Sequence, residues 1–141
     1  MSGISDIEIL LASMEPRLSP VEVVFCSFPD VGIEEKLFLV PIGFFVEAEG
    51  ISLIVQRSIA ERNGISFSTV LRAIALDVHS SLEAVGLTAA VASRLALHGI
   101  SANVVAAYYH DHVFVPAPDA ERALQVLQAL QAEASGKISA A

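Results

Sequence analysis

The chain has 141 residues, 54% apolar and 17% charged, with a net charge of −8 at neutral pH. That composition excludes a disordered segment, and the length suits one domain, or two very small ones sharing a core, that buries about two-thirds of its unfolded surface without staples. No basic run occurs, so nucleic acid and anionic membrane are not expected partners, because phosphate binding needs clustered Lys and Arg.

Residues 4–14 read as a helix. Ser5 is placed to cap it, Glu8 completes a capping box, and Pro16 and Pro20 keep it from continuing. The opening MSGISDIEILL has no basic segment followed by an apolar one, so no secretory signal is expected there. No apolar run approaches the ~20 residues that span a bilayer. A cytoplasmic protein is the expectation.

Residues 21–28, VEVVFCSF, read as a strand. It carries the single cysteine, Cys26, which is expected to be a buried small hydrophobe. Residues 29–36 read as a loop. Two short strands, 42–48 and 51–56, flank Glu49-Gly50, a hairpin signal. Ser58 is expected to cap a helical turn over 59–62. The next strand covers 70–79, followed by a loop over 80–85. Residues 87–98 form the clearest helix, with Leu87, Ala90, Val91 and Leu95 on one face and Gly99 as its left-handed terminus. Strands follow at 103–109 and 112–116. Asp119 is expected to cap a last helix over 120–133, with Ala120, Ala123, Leu124, Leu127 and Leu130 inward. Residues 135–141 are left as a tail.

The elements repeat. Setting Glu49-Gly50 on His110-Asp111 gives an offset of 61 residues, which also sets Ser58 on Asp119. Each half then reads strand, connection, hairpin, cap, helix. The first connection is shorter by about three helical turns. The second half is β-α-β-β-α, most of a ferredoxin-like unit, and lacks its fourth strand, which either the other half or an exchange between the halves would supply. The expected fold class is α+β: tandem ferredoxin-like units with antiparallel sheet and helices packed on one face. The expected division is 1–68, a degenerate half, 69–134, a complete one, and the tail 135–141.

The residues with the most chemistry are AAYYHDHVFVP, 106–116. With His110-Asp111 as a two-residue tip, Tyr109 would oppose His112 and Ala107 would oppose Phe114. Tyr108, Ala106, Val104, Val113 and Val115 would face the helices. A metal needs three or four converging ligands. His110 and His112 flank a turn with no further Cys or His nearby, so no metal is expected and the stretch reads as an exposed turn. Ser80-Ser81 lacks a nucleophile-elbow frame, and Asp77 and Glu83 read as solvated charges. No glycine-rich phosphate motif occurs. No catalytic residue and no cofactor are expected.

The run 79–130 resembles an ACT domain through Val85-Gly86-Leu87 at its helix start, His98-Gly99-Ile100 at the helix end, and the hairpin YYHDHVFVP. It is most similar to the aspartokinase-type tandem ACT group, and the N-terminal helix with VVFCSFP also fits small stand-alone bacterial ACT proteins. The resemblance implies a non-enzymatic regulatory protein that binds an amino acid or related carboxylate at interfaces between paired units. The implied binding residues are Ser80, Ser81, Val85, Gly86 and Leu87. Helix dipole and free N–H groups at a glycine-headed helix favour a carboxylate there. Many ACT domains have Asn two residues after the glycine that ends this helix. Here that residue is Ser101, and Asn103 lies two further on; Asn103, Val104 and Ala107 are expected to complete the pocket. The apolar composition and unpaired strand edges imply at least a homodimer. Two other readings stay open: an interaction protein that has lost its ligand, and a small enzyme using Tyr108, Tyr109 and His112 in a dimer cavity.

Overall fold

The computed structural model describes residues 6–78 and 85–140. The expected cap at Ser5 and the readings of His79, Ser80, Ser81 and Glu83 fall outside the described residues. By packing, the chain divides into two compact units, Pro20–Arg72 in one, Met1–Ser19 with Ala73–Ala141 in the other. The architecture is α+β with tandem ferredoxin-like units.

The unit Pro20–Arg72 is built on the strands β1 (Pro16–Phe28), β2 (Gly43–Glu47) and β3 (Gly50–Gln56), in the order β2-β3-β1, both pairings antiparallel. Helix α2 (Arg57–Arg62) closes it. One sheet face, carrying Val24, Cys26, Ile51, Leu53 and Val55, forms a core with Leu39 and Ala60. Burial raises the pKa of the Cys26 thiol, and its Sγ lies 3.7 Å from the Leu53 carbonyl. Two 3-10 turns, Ile33–Glu35 and Leu37–Leu39, fill the connection from β1 to β2.

The other unit has β4 (Val70–Leu76), α3 (Leu87–Leu97), β5 (Asn103–Ala106), β6 (Asp111–Pro116) and α4 (Ala120–Ala140), with the order β4-β6-β5. Helix α1 (Asp6–Ala12) belongs to it. Gln131 on α4 donates to the Ala12 carbonyl and to Glu15, both at 2.8 Å, tying the end of α1 down. Ile74, Leu76, Val113 and Val115 pack with Leu87, Val91 and Leu95 of α3 and with the inner face of α4. The expected fourth strand is the opening of β1: residues 16–19 belong to this unit, where Arg17 pairs with Asp77 at 3.0 Å and the Asp77 N–H donates to the Met14 carbonyl at 2.7 Å. β1 thus begins in this unit and continues into the other, and β4 does the reverse.

Three local expectations are corrected. Residues 135–140 are not a tail; α4 runs through Ala140, and Ala134 is buried on the same face as Leu127 and Leu130. Ser58 does not cap α2, whose N-cap is Gln56, with no side-chain bond. The second hairpin turns two residues earlier than His110-Asp111. His112 pairs with Val105 and Phe114 with Asn103. The Ala107 N–H donates to the His110 carbonyl at 3.0 Å, so the tip is Tyr108-Tyr109. The partner of His112 moves four places from the expected Tyr109. An even shift keeps the strand residues on their faces, and Val113 and Val115 do meet the helices, but Tyr108, expected to face them, is exposed at the tip.

The repeat is corrected with it. Gly43 pairs with Ile54 and Asn103 with Phe114, which makes the structural offset 60. At that offset Leu53, Ile54 and Val55 fall on Val113, Phe114 and Val115, all buried. The N-caps Gln56 (φ −63, ψ 137) and Pro116 (φ −55, ψ 134) superpose in conformation, and Ala60 falls on Ala120, both fully buried.

Candidate functional site

The head of α3 is built from three consecutive residues. Leu87 anchors it, its side chain buried in the core beneath α3. Gly86 is the N-cap at φ 104, ψ −23, with no side-chain cap bond. Val85 is 89% exposed. The first N–H groups of a helix have no intrahelical partners, and the dipole places partial positive charge there. Gly86 is required by its backbone conformation. Its φ of 104 suits glycine, whereas a Cβ would make only ordinary contact, 3.4 Å, with Cδ1 of Ile7 on α1. Ile7 therefore covers one side of the glycine, and a branched side chain at 86 disturbs folding as well as any ligand.

The other expected site residues spread out. Ser80 and Ser81 lie outside the described residues. Asn103 is exposed at the start of β5. It follows the C-terminal end of α3, a helix ~16 Å long, whereas Gly86 stands at the other end. Val104 is half-buried against the helix-side core. Ala107 begins the Tyr108-Tyr109 turn, with its N–H engaged by His110. Tyr108 and Tyr109 contact each other edge to face, centroids 4.9 Å apart, and both are exposed.

His110-Asp111-His112 is not an exposed tip. Asp111 is only 8% exposed on the first residue of β6. Burial raises the pKa of its carboxyl, with His112 pulling it back. Burial, then the neighbouring His110, lower the pKa of His112, against a smaller opposite pull from Asp111. Side chains alternate along a strand, so Asp111 shares a face with Val113 while His112 lies opposite. Among the described residues no three His, Cys, Asp or Glu converge to hold a metal ion.

One feature was invisible in the linear sequence. In the unit Pro20–Arg72 a cavity of about 470 Å³ is lined by Glu22 of β1, Arg57, Ser58 and Glu61 of α2, and Arg72 of β4, with Val21 beside them. Arg57 reaches Glu22 through Nη1 at 3.1 Å and Glu61 through Nε at 3.5 Å. The four charges come from three elements, so no motif could announce them. Only the i,i+4 pair Arg57–Glu61 is legible as a helix-face contact.

Fold and helix head define a class: two ferredoxin-like units in tandem, one with a glycine-headed helix over its sheet. Family models for the ACT domain match residues 2–72 and 68–129. The chain belongs to the ACT domain family. It is 47% identical to a Vibrio cholerae protein of unknown function described as a possible transport protein, with TM-score 0.83, covering 92% of this chain and 99% of that one. At 15% identity and TM-score 0.63 it shares its fold with the ligand-free regulatory subunit of aspartate kinase from Thermus thermophilus, covering 84% of this chain and 97% of that one. The Escherichia coli aspartokinase III in complex with aspartate and ADP is similar in fold at TM-score 0.52 and 16% identity, covering 82% of this chain and 32% of that one. No curated protein matches the chain by sequence. Among the described residues no helix is long and apolar enough to cross a membrane.

Proposed function

We propose that the chain is a non-enzymatic regulatory protein that binds an amino acid or a related small carboxylate at the head of α3 and works in the cytoplasm. The ligand carboxylate would meet the N–H groups of Val85, Gly86 and Leu87. Ser80, Ser81 and Ala107 belong to the same proposal, as do Asn103 and Val104 where a paired unit supplies them. The halves 1–68 and 69–134 are proposed as its two ACT copies, the second keeping the site, and the working form as a homodimer or higher oligomer. The observation that carries the reading is the N-cap of α3. Gly86 holds a positive φ and has no side chain with which to cap the helix, and the neighbouring Val85 is open to solvent.

The test is calorimetric titration with each of the twenty L-amino acids, against wild type and Val85→Glu. Glutamate beside a helix N-terminus suits the dipole, so the variant folds, but its carboxylate competes for the same N–H groups. Saturable binding by wild type and at least tenfold weaker binding by Val85→Glu is the expected result. Equal affinity in both would remove the ligand from the head of α3.

A second reading, an interaction protein without a ligand, has one observation in its favour. The edge strand β2 presents Phe44, Phe45 and Val46 to solvent. Absence of amino-acid binding, together with concentration-dependent self-association in sedimentation velocity, would favour it.

A further inference from the structure

We infer that the cavity of the unit Pro20–Arg72 is a binding site for a neutral amino acid held as its zwitterion. The inference rests on the amino-acid reading above but not on the head of α3. Its basis is the charge inventory of the cavity: two guanidinium groups, Arg57 and Arg72, and two carboxylates, Glu22 and Glu61, on one wall set. A free anion entering it meets two carboxylates, and a free cation meets two guanidinium groups. A ligand with one charge of each sign meets a partner for both, its carboxylate on a guanidinium fork and its ammonium on a glutamate.

Volume and lining narrow the class. About 470 Å³ lies within the range of small-molecule pockets, which combine apolar walls with a few placed polar groups. Val21 supplies apolar wall and Ser58 a hydroxyl. The zwitterion engages one guanidinium and one carboxylate; the pair left over, one of each sign, cancels in net charge and offers no net attraction to an acidic or basic side chain, so a neutral one fits.

Arg57 carries an independent mark. Its Nε is buried and makes no hydrogen bond. The nearest carboxylate oxygen, Oε1 of Glu61, is 3.5 Å away, an ion pair but too long for a good hydrogen bond. A buried donor without a hydrogen-bond partner is destabilising, and a ligand oxygen in the cavity is a partner of the right chemistry. Arg57 itself is held between Glu22 and Glu61, so the fork is already oriented before a ligand arrives.

The experiment uses the full chain labelled with ¹⁵N. L-valine, L-threonine and L-leucine are the neutral probes and L-aspartate the charged one. Isobutylamine and isovalerate are valine without its carboxylate and without its amine. Backbone amide shifts are followed on titration in wild type, Glu61→Gln and Arg72→Gln. Glu61 is a surface residue of α2, so Glu61→Gln keeps the fold should Arg72→Gln not. The expected result is saturable shifts at Val21, Glu22, Ser58, Glu61 and Arg72 with at least one neutral probe. Both truncated analogues and aspartate should bind at least tenfold more weakly, and so should the neutral probe to each folded variant. Shifts confined to residues 85–87 would overturn this inference and support the head of α3. Shifts confined to this cavity would support it and move the ligand away from α3. No shift anywhere with any probe would overturn it, as would equal binding of isobutylamine or isovalerate.

Discussion

The two units solve one problem in different ways. Between β4 and β5 the chain lays down α3, eleven residues that bury Leu87, Val91 and Leu95 against the sheet. Between β1 and β2 it has two 3-10 turns, and of these only Leu39 is buried. Leu37, Phe38, Val40 and Ile42 of the same connection remain exposed. Lys36 partly compensates, its Nζ 4.5 Å from the Phe28 ring centroid. Val40 holds φ 50, left-handed backbone that a β-branched residue adopts only under strain. A full helix thus marks the unit whose connection is self-sufficient. The short connection leaves apolar surface exposed and one strained residue, Val40.

The largest expected effect separates the two covers. Leu95→Ala should cost about 3–5 kcal/mol, because α3 is held at both ends and the cavity cannot collapse. Leu39→Ala should cost about 2 kcal/mol, because a short turn relaxes into the space. Urea denaturation measures both, and a greater loss for Leu39 would break the comparison.

The hairpins offer the next test. Gly50 has φ 139, and a Cβ there would stand 2.5 Å from the Phe28 carbonyl oxygen. Gly50→Ala should therefore destabilise by about 2–3 kcal/mol. His110, its counterpart sixty residues on, is not among the residues with positive φ. His110→Ala should change stability by less than about 1 kcal/mol. Similar losses at both positions would refute the sixty-residue register.

Asp111 occupies the place that buried Ile51 has in the first unit. Its folded pKa is raised, so the stability it contributes is full below the ordinary carboxylate range and is lost as pH rises through the folded value. Asp111→Asn should stabilise by about 1 kcal/mol at neutral pH and flatten that decline. His112 acts in the opposite sense. Its folded pKa is lowered, so its contribution is present above the ordinary imidazole range and lost as pH falls through the folded value. Denaturation midpoints across pH in Asp111→Asn and His112→Gln separate the two. Unchanged pH dependence in both would contradict the burial argument.

The smallest effect is at Val40. Asparagine tolerates left-handed backbone, so Val40→Asn should stabilise by about 0.5–1 kcal/mol. Thermal melts measure it. A lower melting temperature would mean that exposed Val40 has a packing role the strain conceals.

Much of this was legible, and the errors share one cause. Hydrophobic periodicity located α3 and α4, and the faces of β6, because it reports burial directly. Gly99 ends α3 at φ 69 as its place in the sequence indicates. Turn chemistry misled. Gly50 looks like a tip residue but opens β3, while the true tips, Ala48-Glu49 and Tyr108-Tyr109, carry no strong turn signal. One hairpin was misplaced by one residue and the other by two, and the difference turned an offset of 60 into 61. The charged cavity was illegible for another reason: Glu22, Arg57, Glu61 and Arg72 meet only once the strands are paired. The helix head was legible because Val85, Gly86 and Leu87 are consecutive.

The most direct test of the regulatory reading is a thermal-shift screen of the intact chain against the twenty L-amino acids at neutral pH. A ligand at one hundred times its Kd stabilises by ~2.7 kcal/mol, which for a chain of this size raises Tm by roughly 5–10 °C. Such a rise is expected for at least one amino acid, abolished when the carboxylate is replaced by an amide. No rise with any of the twenty at millimolar concentration would contradict it.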